Sequence, residues 1–160
     1  MDEKVEKLKI LLNEISDLGG AQAVLGWDQQ TYMPPGGAEA RGDQLSTLAK
    51  ITHDKFVSDE IGSLLKDLHP YADSLASDSD DARLIHVANR EYKKQKNVSS
   101  EWVAEFAQVT AIGQEAWVTA RSESKFSIFQ PHLEKIVRLR RQYADFFKPY
   151  EHIYDPLLDD

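Results

Sequence analysis

The sequence predicts an all-α fold of five to six mostly antiparallel helices joined by short loops. Three observations predict it. Apolar residues recur at spacings of three and four along nearly the whole chain. No run alternates polar and apolar residues over strand length. Serines suited to helix capping stand just before several of the periodic stretches.

The first helix carries Val5, Leu8, Leu11, Leu12, Ile15 and Leu18 on one face. Gly19-Gly20 interrupts it, and each glycine costs about 1 kcal/mol against alanine in a helix interior. Good helix formers resume after Ala21, so one long helix is expected, bent at the glycines and ending near Met33. Pro34 and Pro35 enforce that stop. A second helix is expected over 38–54, with Leu45, Leu48, Ala49 and Thr52 inward. Ser58 reads as the N-cap of a third, short helix ending near Leu68, before Pro70. Asp59 and Glu60 suit its first turn. The polar stretch 71–81 leads into a fourth helix with Leu84, Ile85, Ala88 and Tyr92 on one face, ending near Lys96-Asn97. Ser99 caps a fifth, whose stripe is Trp102, Phe106, Val109, Gly113, Trp117 and Ala120. Gly113 within that stripe suggests a close helix–helix approach. Ser127-Ile-Phe-Gln130 has capping-box spacing and opens the last helix, with Pro131 in its first turn. Its apolar face is Phe129, Leu133, Ile136, Val137, Tyr143 and Phe147, and Pro149 ends it.

At 160 residues, residues 1–160 are expected to form a single helical domain. A chain this long buries about 68–70% of the surface its unfolded form exposes. Cysteine is absent, which removes disulfides and thiolate chemistry and fits a reducing compartment. The net charge of −8 argues against nucleic acid, because a phosphate-binding surface needs a cationic stripe. The densest basic cluster, Arg138, Arg140 and Arg141 with Lys135 nearby, reads as a solvated helix face. No apolar run reaches the ~18 residues of a membrane span. The charged N-terminus lacks the pattern of a secretory signal. A cytoplasmic location with no membrane partner is the simplest expectation.

The five histidines are His53, His69, His86, His132 and His152. No two are four apart, and none has an acidic residue three positions before it, so neither a helical zinc pair nor a Glu-x-x-His site is written. Each reads as a surface or half-buried residue, and no metal ligand, catalytic residue or cofactor is assigned within this chain. No glycine-rich phosphate loop is present. Glu39/Asp43 and Glu101/Glu105 are carboxylates at helical spacing, best explained by the favourable charge of helix first turns.

One segment stands apart. Trp27, Asp28 and Gln29 end the first helix, the prolines and glycines of 34–37 turn the chain, and Arg41 lies in the first turns of the second helix. Trp27 fits either the core or a binding wall. Asp28 fits a turn-fixing carboxylate, held by the amides after Pro35 or by Arg41, in preference to a substrate contact.

The run Trp27-Asp-Gln-Gln-Thr-Tyr-Met-Pro-Pro-Gly-Gly-Ala-Glu-Ala-Arg41, followed by Gln44-Leu45, resembles the N-terminal signature of the carboxypeptidase Taq family of metallocarboxypeptidases. Trp117-Val-Thr-Ala-Arg-Ser-Glu-Ser-Lys-Phe-Ser-Ile-Phe129 is similar to its W-x-x-A-R-x-x-x-D-F-x-x-F segment, with Lys125 where an acid is common. Pro131-His-Leu-Glu-Lys-Ile-Val137 continues that segment. Tyr154-Asp-Pro-Leu-Leu-Asp-Asp160 resembles the start of Y-D-x-L-L-D-x-Y-E-P-G.

The resemblance implies the N-terminal part of a larger, all-helical, saddle-shaped cytoplasmic homodimer. Such enzymes remove single C-terminal residues from peptides with a divalent ion, zinc or cobalt, on an HExxH helix. The ion polarises the scissile carbonyl and activates water. The family's HExxH, DxRxT, HESQ or HEGQ, IRxxAD and GxxQDxHW motifs do not occur in these residues. The implied role of this part is a wall or lid of the substrate cleft, inactive alone, with Trp27, Asp28, Gln29 and Arg41 facing the cleft or bracing its turn. The other expectation is a standalone, non-enzymatic helical interaction module.

Overall fold

The computed structural model describes residues 2–34 and 36–158. It is all-α. Six α-helices run in order: α1 (Asp2–Thr31), α2 (Ala38–Phe56), α3 (Asp59–Ser74), α4 (Asp80–Gln95), α5 (Ser100–Ser122) and α6 (Phe126–Asp145). A 3-10 turn, Asp155–Leu157, follows. No helix among the described residues is long and apolar enough to cross a membrane. The chain divides into two compact units, Met1–Ala21 with Ile51–Asn97, and Gln22–Lys50 with Val98–Asp160. Helices α1 and α2 each contribute residues to both.

In the first unit, Val5 and Leu8 of α1 pack with Ile61, Leu64, Leu65, Leu68 and Ala72 of α3 and with Ile85, Ala88 and Tyr92 of α4. Leu11, Leu12, Ile15, Phe56 and Tyr71 complete this core. Full burial of each large aliphatic here is worth about 1.5–3 kcal/mol. Ser58 and Ser79 cap α3 and α4, accepting from the amides of Ile61 and Ala82. Early α3 meets late α4, because a Cβ on Gly62 would lie 2.2 Å from the Tyr92 hydroxyl. The two helices are therefore antiparallel. Ion pairs line the rim: Lys4–Asp67 and Lys7–Glu60 at 2.6 Å, and Lys9–Asp81 at 3.0 Å.

One boundary differs from expectation. Helix α3 does not stop near Leu68 but continues through Pro70 to Ser74. Proline removes one amide donor, yet the next turn carries Tyr71 and the fully buried Ala72 onto the core. Packing decides where the local signal would have stopped the helix. His53, expected at or near the surface, is buried on α2 at 7% exposure.

In the second unit, α5 and α6 form another antiparallel pair. Trp102, early in α5, donates its indole N–H to the Leu139 carbonyl late in α6 at 2.9 Å. Its ring stacks on Phe106 at 4.8 Å and lies 5.1 Å from Tyr143. Gly113 does lie at a close approach, since a Cβ there would be 3.3 Å from Ile136 Cδ1. Ser99 caps α5 by accepting from the Trp102 amide.

Several details of this unit differ from the sequence reading. Helix α6 begins at Phe126 with Lys125 at the N-cap, and no side chain caps it. Ser127 is already inside the first turn, so no capping box forms, and Pro131 falls in the helix body. The left-handed backbone of Ser124, φ 53°, and the Lys125 amide bonded to the Ala120 carbonyl set this start instead. Helix α6 ends at Asp145, ahead of Pro149. Trp117 and Val137, expected inward, are 42% and 43% exposed.

Candidate functional site

The end of α1 would be electrostatically poor on its own. The negative pole of a helix dipole favours cations, yet the last turn of α1 has no basic residue and carries Asp28. Arg41, delivered by α2, corrects this. Its Nη2 donates to Asp28 Oδ2 at 2.6 Å, its Nη1 to the Leu25 carbonyl, and its Nε to Gln44 Oε1 at 3.1 Å. The Arg41 side chain is only 11% exposed. A planar guanidinium offers donors in a fixed fork, which suits holding three acceptors at once.

The turn itself is built for this reach. The amides of Tyr32 and Met33 both bond to the Asp28 carbonyl at 2.9 Å and close α1. Gly36 adopts φ +87°, a conformation that side-chain-bearing residues rarely adopt. Gly37 donates its amide to the Pro34 carbonyl, and a Cβ on it would sit 3.0 Å from Met33 Cγ. Pro35 itself lies outside the described residues; of the two holds expected for Asp28 the structure shows the one through Arg41, the Gly37 amide going to Pro34 instead.

The four expected residues thus divide. Asp28 and Arg41 are joined directly. Gln29 points elsewhere, donating from Nε2 to the Ala111 carbonyl of α5 at 2.7 Å. It borders a hollow of about 280 Å³ that Gln22, Gln30, Thr110 and Gln114 also line. Trp27 is not in the core. It is 58% exposed, with its ring edge-on to Tyr32 at 5.5 Å. Gln44 was visible in the sequence as an i+3 neighbour of Arg41, but the Leu25 carbonyl is a backbone acceptor that no side-chain pattern announces.

The paired carboxylates do not act together. Glu101 meets Lys50, Glu105 faces Arg138, and Asp43 accepts from Gln108. Of the basic cluster of α6, Lys135, Arg138 and Arg141 are exposed, whereas Arg140 is half-buried over the Phe106 ring at 4.4 Å. Sequence spacing missed one gathering. His69 and Asp73 of α3 meet His86 of α4, with ligand atoms all within 4.8 Å of one another. The signal was His69-x-x-x-Asp73, an acid four residues after a histidine on one helix. The third member comes from another helix, where sequence spacing says nothing.

Comparison with known proteins settles the affiliation. The family model described as carboxypeptidase Taq (M32) metallopeptidase matches residues 7–160. The chain belongs to the carboxypeptidase Taq family. Carboxypeptidase 1 of Bacillus subtilis is 30% identical over 149 residues, covering 93% of this chain and 29% of that protein. Thermostable carboxypeptidase 1 of Pyrococcus furiosus is 28% identical over 164 residues, covering 99% and 31%. The solved BsuCP crystal structure superposes at TM-score 0.91 with 27% identity, over 98% of this chain and 31% of that one. The Deinococcus radiodurans M32 carboxypeptidase structure is 33% identical at TM-score 0.67, over 97% and 30%. The chain therefore spans about 30% of the length of the curated relatives it matches. Residues 27–41 and 117–129, which carry the resemblance, lie wholly within the matched span.

The residues present do not fit a hydrolytic ion of the HExxH kind. The gathered set His69, Asp73 and His86 has one histidine on each of two helices, and only Pro70, Tyr71 and Ala72 separate its α3 members. No glutamate stands where that motif places its base, so no hydrolytic step is derived through this set.

Proposed function

We propose that this chain is the N-terminal helical region of a metal-dependent carboxypeptidase that removes single C-terminal residues from peptides. In that reading it forms a wall or lid of the substrate cleft and is inactive alone. The observation that carries the reading is the family match across residues 7–160, set against only about 30% of the relatives' length. The missing length is where the hydrolytic motifs and a divalent ion, zinc or cobalt, would lie. A cytoplasmic homodimer acting on peptides completes the proposal.

The geometry suits a wall. The Arg41–Asp28 pair fixes the turn and leaves Trp27 and Tyr32 exposed as an aromatic face. The nearby carboxamides of Gln22, Gln29, Gln30 and Gln114 offer neutral donors and acceptors, which match a peptide backbone without a charge preference.

Two experiments test this. The 160-residue chain, assayed with zinc or cobalt, is expected to release no C-terminal residue from peptides; chelator-sensitive release overturns the assignment of the chemistry elsewhere. Replacing the counterparts of Asp28 or Arg41 in an intact relative is expected to lower peptide cleavage or melting temperature. Both unchanged would remove the bracing role.

A further inference from the structure

We propose that His69, Asp73 and His86 form a surface site for one zinc-class divalent ion, which ties α3 to α4. The site is independent of the carboxypeptidase reading.

The arrangement begins in the helices. Residues four apart share a helix face, so His69 and Asp73 stand one turn apart on α3. Antiparallel packing brings His86 of α4 to the same level. His69 Nδ1 lies 3.3 Å from Asp73 Oδ2, and His86 Nε2 lies 3.6 Å from Asp73 Oδ1. The two imidazole rings meet nearly perpendicular, 83°, with centroids 5.7 Å apart.

These distances are close to what an ion needs. Zinc holds nitrogen and carboxylate oxygen at about 2.0–2.2 Å, which makes the edges of its tetrahedron about 3.3–3.6 Å. The His69 separation is to Asp73 Oδ2 and the His86 separation to Asp73 Oδ1, so a single coordinating oxygen already stands near that length from one histidine and must close on the other. All three ligand atoms already lie within 4.8 Å of one another, so the remaining edges have about an ångström to close. The three side chains are 45%, 58% and 45% exposed, so rotation about their own bonds can supply the change. Exposure also gives an ion an entry path and leaves its fourth position to water.

The donor set selects the ion class. Two imidazoles and one carboxylate suit zinc, copper and nickel, whereas magnesium and calcium prefer all-oxygen sites. The chain's net charge of −8 favours cations near its surface. Two ligands sit on one helix and one on the next, so a bound ion cross-links the hairpin. Binding to the folded form alone then stabilises that form. The role assigned to the ion is to tie the two helices together; no hydrolytic step is placed on it.

The test is zinc titration of the 160-residue chain by calorimetry and thermal melting, with magnesium as control. The expected result is one zinc equivalent and a melting temperature raised by roughly 5–10 °C at about a hundredfold excess over Kd. Magnesium should leave melting unchanged. His69→Gln, Asp73→Asn and His86→Gln should each weaken zinc binding at least about tenfold, as losing a ligand costs no less than losing its outer-shell support. The unaltered chain gives a second readout. Copper(II) at one equivalent should show spin-resonance coupling to two imidazole nitrogens. Zinc binding that survives the double variant His69→Gln/His86→Gln, an unmoved melting temperature, or coupling to fewer than two nitrogens each overturns the proposal.

Discussion

Arg41 concentrates more structural work than any other side chain of the signature. It satisfies a carboxylate, a backbone carbonyl and a side-chain amide from a site that is only 11% exposed. Arg41→Met leaves Asp28 and the Leu25 carbonyl short of a donor, and the expected cost is roughly 1–3 kcal/mol by chemical denaturation. Arg41→Lys should recover only part of it, because a point charge cannot serve three divergent acceptors. Lys125 makes the opposite case. It occupies the N-cap of α6 with no capping bond. Lys125→Asp is expected to stabilise the chain by about 0.5–1 kcal/mol, readable as a higher melting temperature. An acid at this position would accept from the first amides of α6, which the present N-cap leaves without a side-chain partner.

At the scale of elements, glycines with the same letter have opposite meanings. Gly62 faces Tyr92 across the α3–α4 contact, and a methyl group on it would collide with the phenol ring. Gly62→Ala should cost about 1–3 kcal/mol through overpacking. Gly19 meets nothing within 4 Å. Gly19→Ala should therefore stabilise α1 by about 0.5–1 kcal/mol. The α1–α3 rim gives a pH dependence. Hydrogen bonds from Lys7 and Lys4, then their charges, hold the carboxyls of Glu60 and Asp67 below the usual carboxylate range. A carboxyl lowered in the folded state adds stability above its unfolded pKa and loses it as pH falls through the folded value. The first unit should weaken on acidification, and Lys4→Met/Lys7→Met should flatten that acid limb in melts at graded pH. The pairs are exposed, so added salt should shrink the difference.

Elements also explain what could be read in advance. Ser58 and Ser99 announced their helices because capping is a bond between residues three apart. The Gly113 approach was legible because a small residue on an apolar stripe has few other uses. Pro70 and Ser127 misled because the outcome lay elsewhere. Burial of Ala72 carries α3 past its proline, and the turn at Ser124 starts α6 early. In the candidate site, Asp28 and Arg41 were legible as opposite charges flanking a turn. Trp27 was not, because its exposure depends on the neighbours a whole fold supplies.

At the scale of the whole molecule, the second unit turns substantial apolar surface to solvent. Phe126 is 61% exposed, Val137 43% and Trp117 42%. Phe126 borders both a hollow shared with Leu133 and Val137 and another shared with Trp117 and Phe129. A continuous exposed patch is a liability for a chain alone. The isolated chain is expected to self-associate as its concentration rises, measured by sedimentation. Phe126→Ser/Val137→Glu should reduce that association while leaving the helical circular dichroism intact. A strict monomer at every concentration would mean that the patch is tolerated bare, as a standalone module would require.

The exposure of Trp27 has an optical consequence. Its indole stands in water beside the turn, whereas Trp102 is anchored to a backbone carbonyl within the α5–α6 pair and Trp117 lies under Arg121. Trp27, more exposed than Trp117 (58% against 42%), should supply the larger share of the red, iodide-quenchable fluorescence, and Trp27→Phe should reduce that share. The signature thus carries its own lamp, whose colour and quenching would report anything laid against that face.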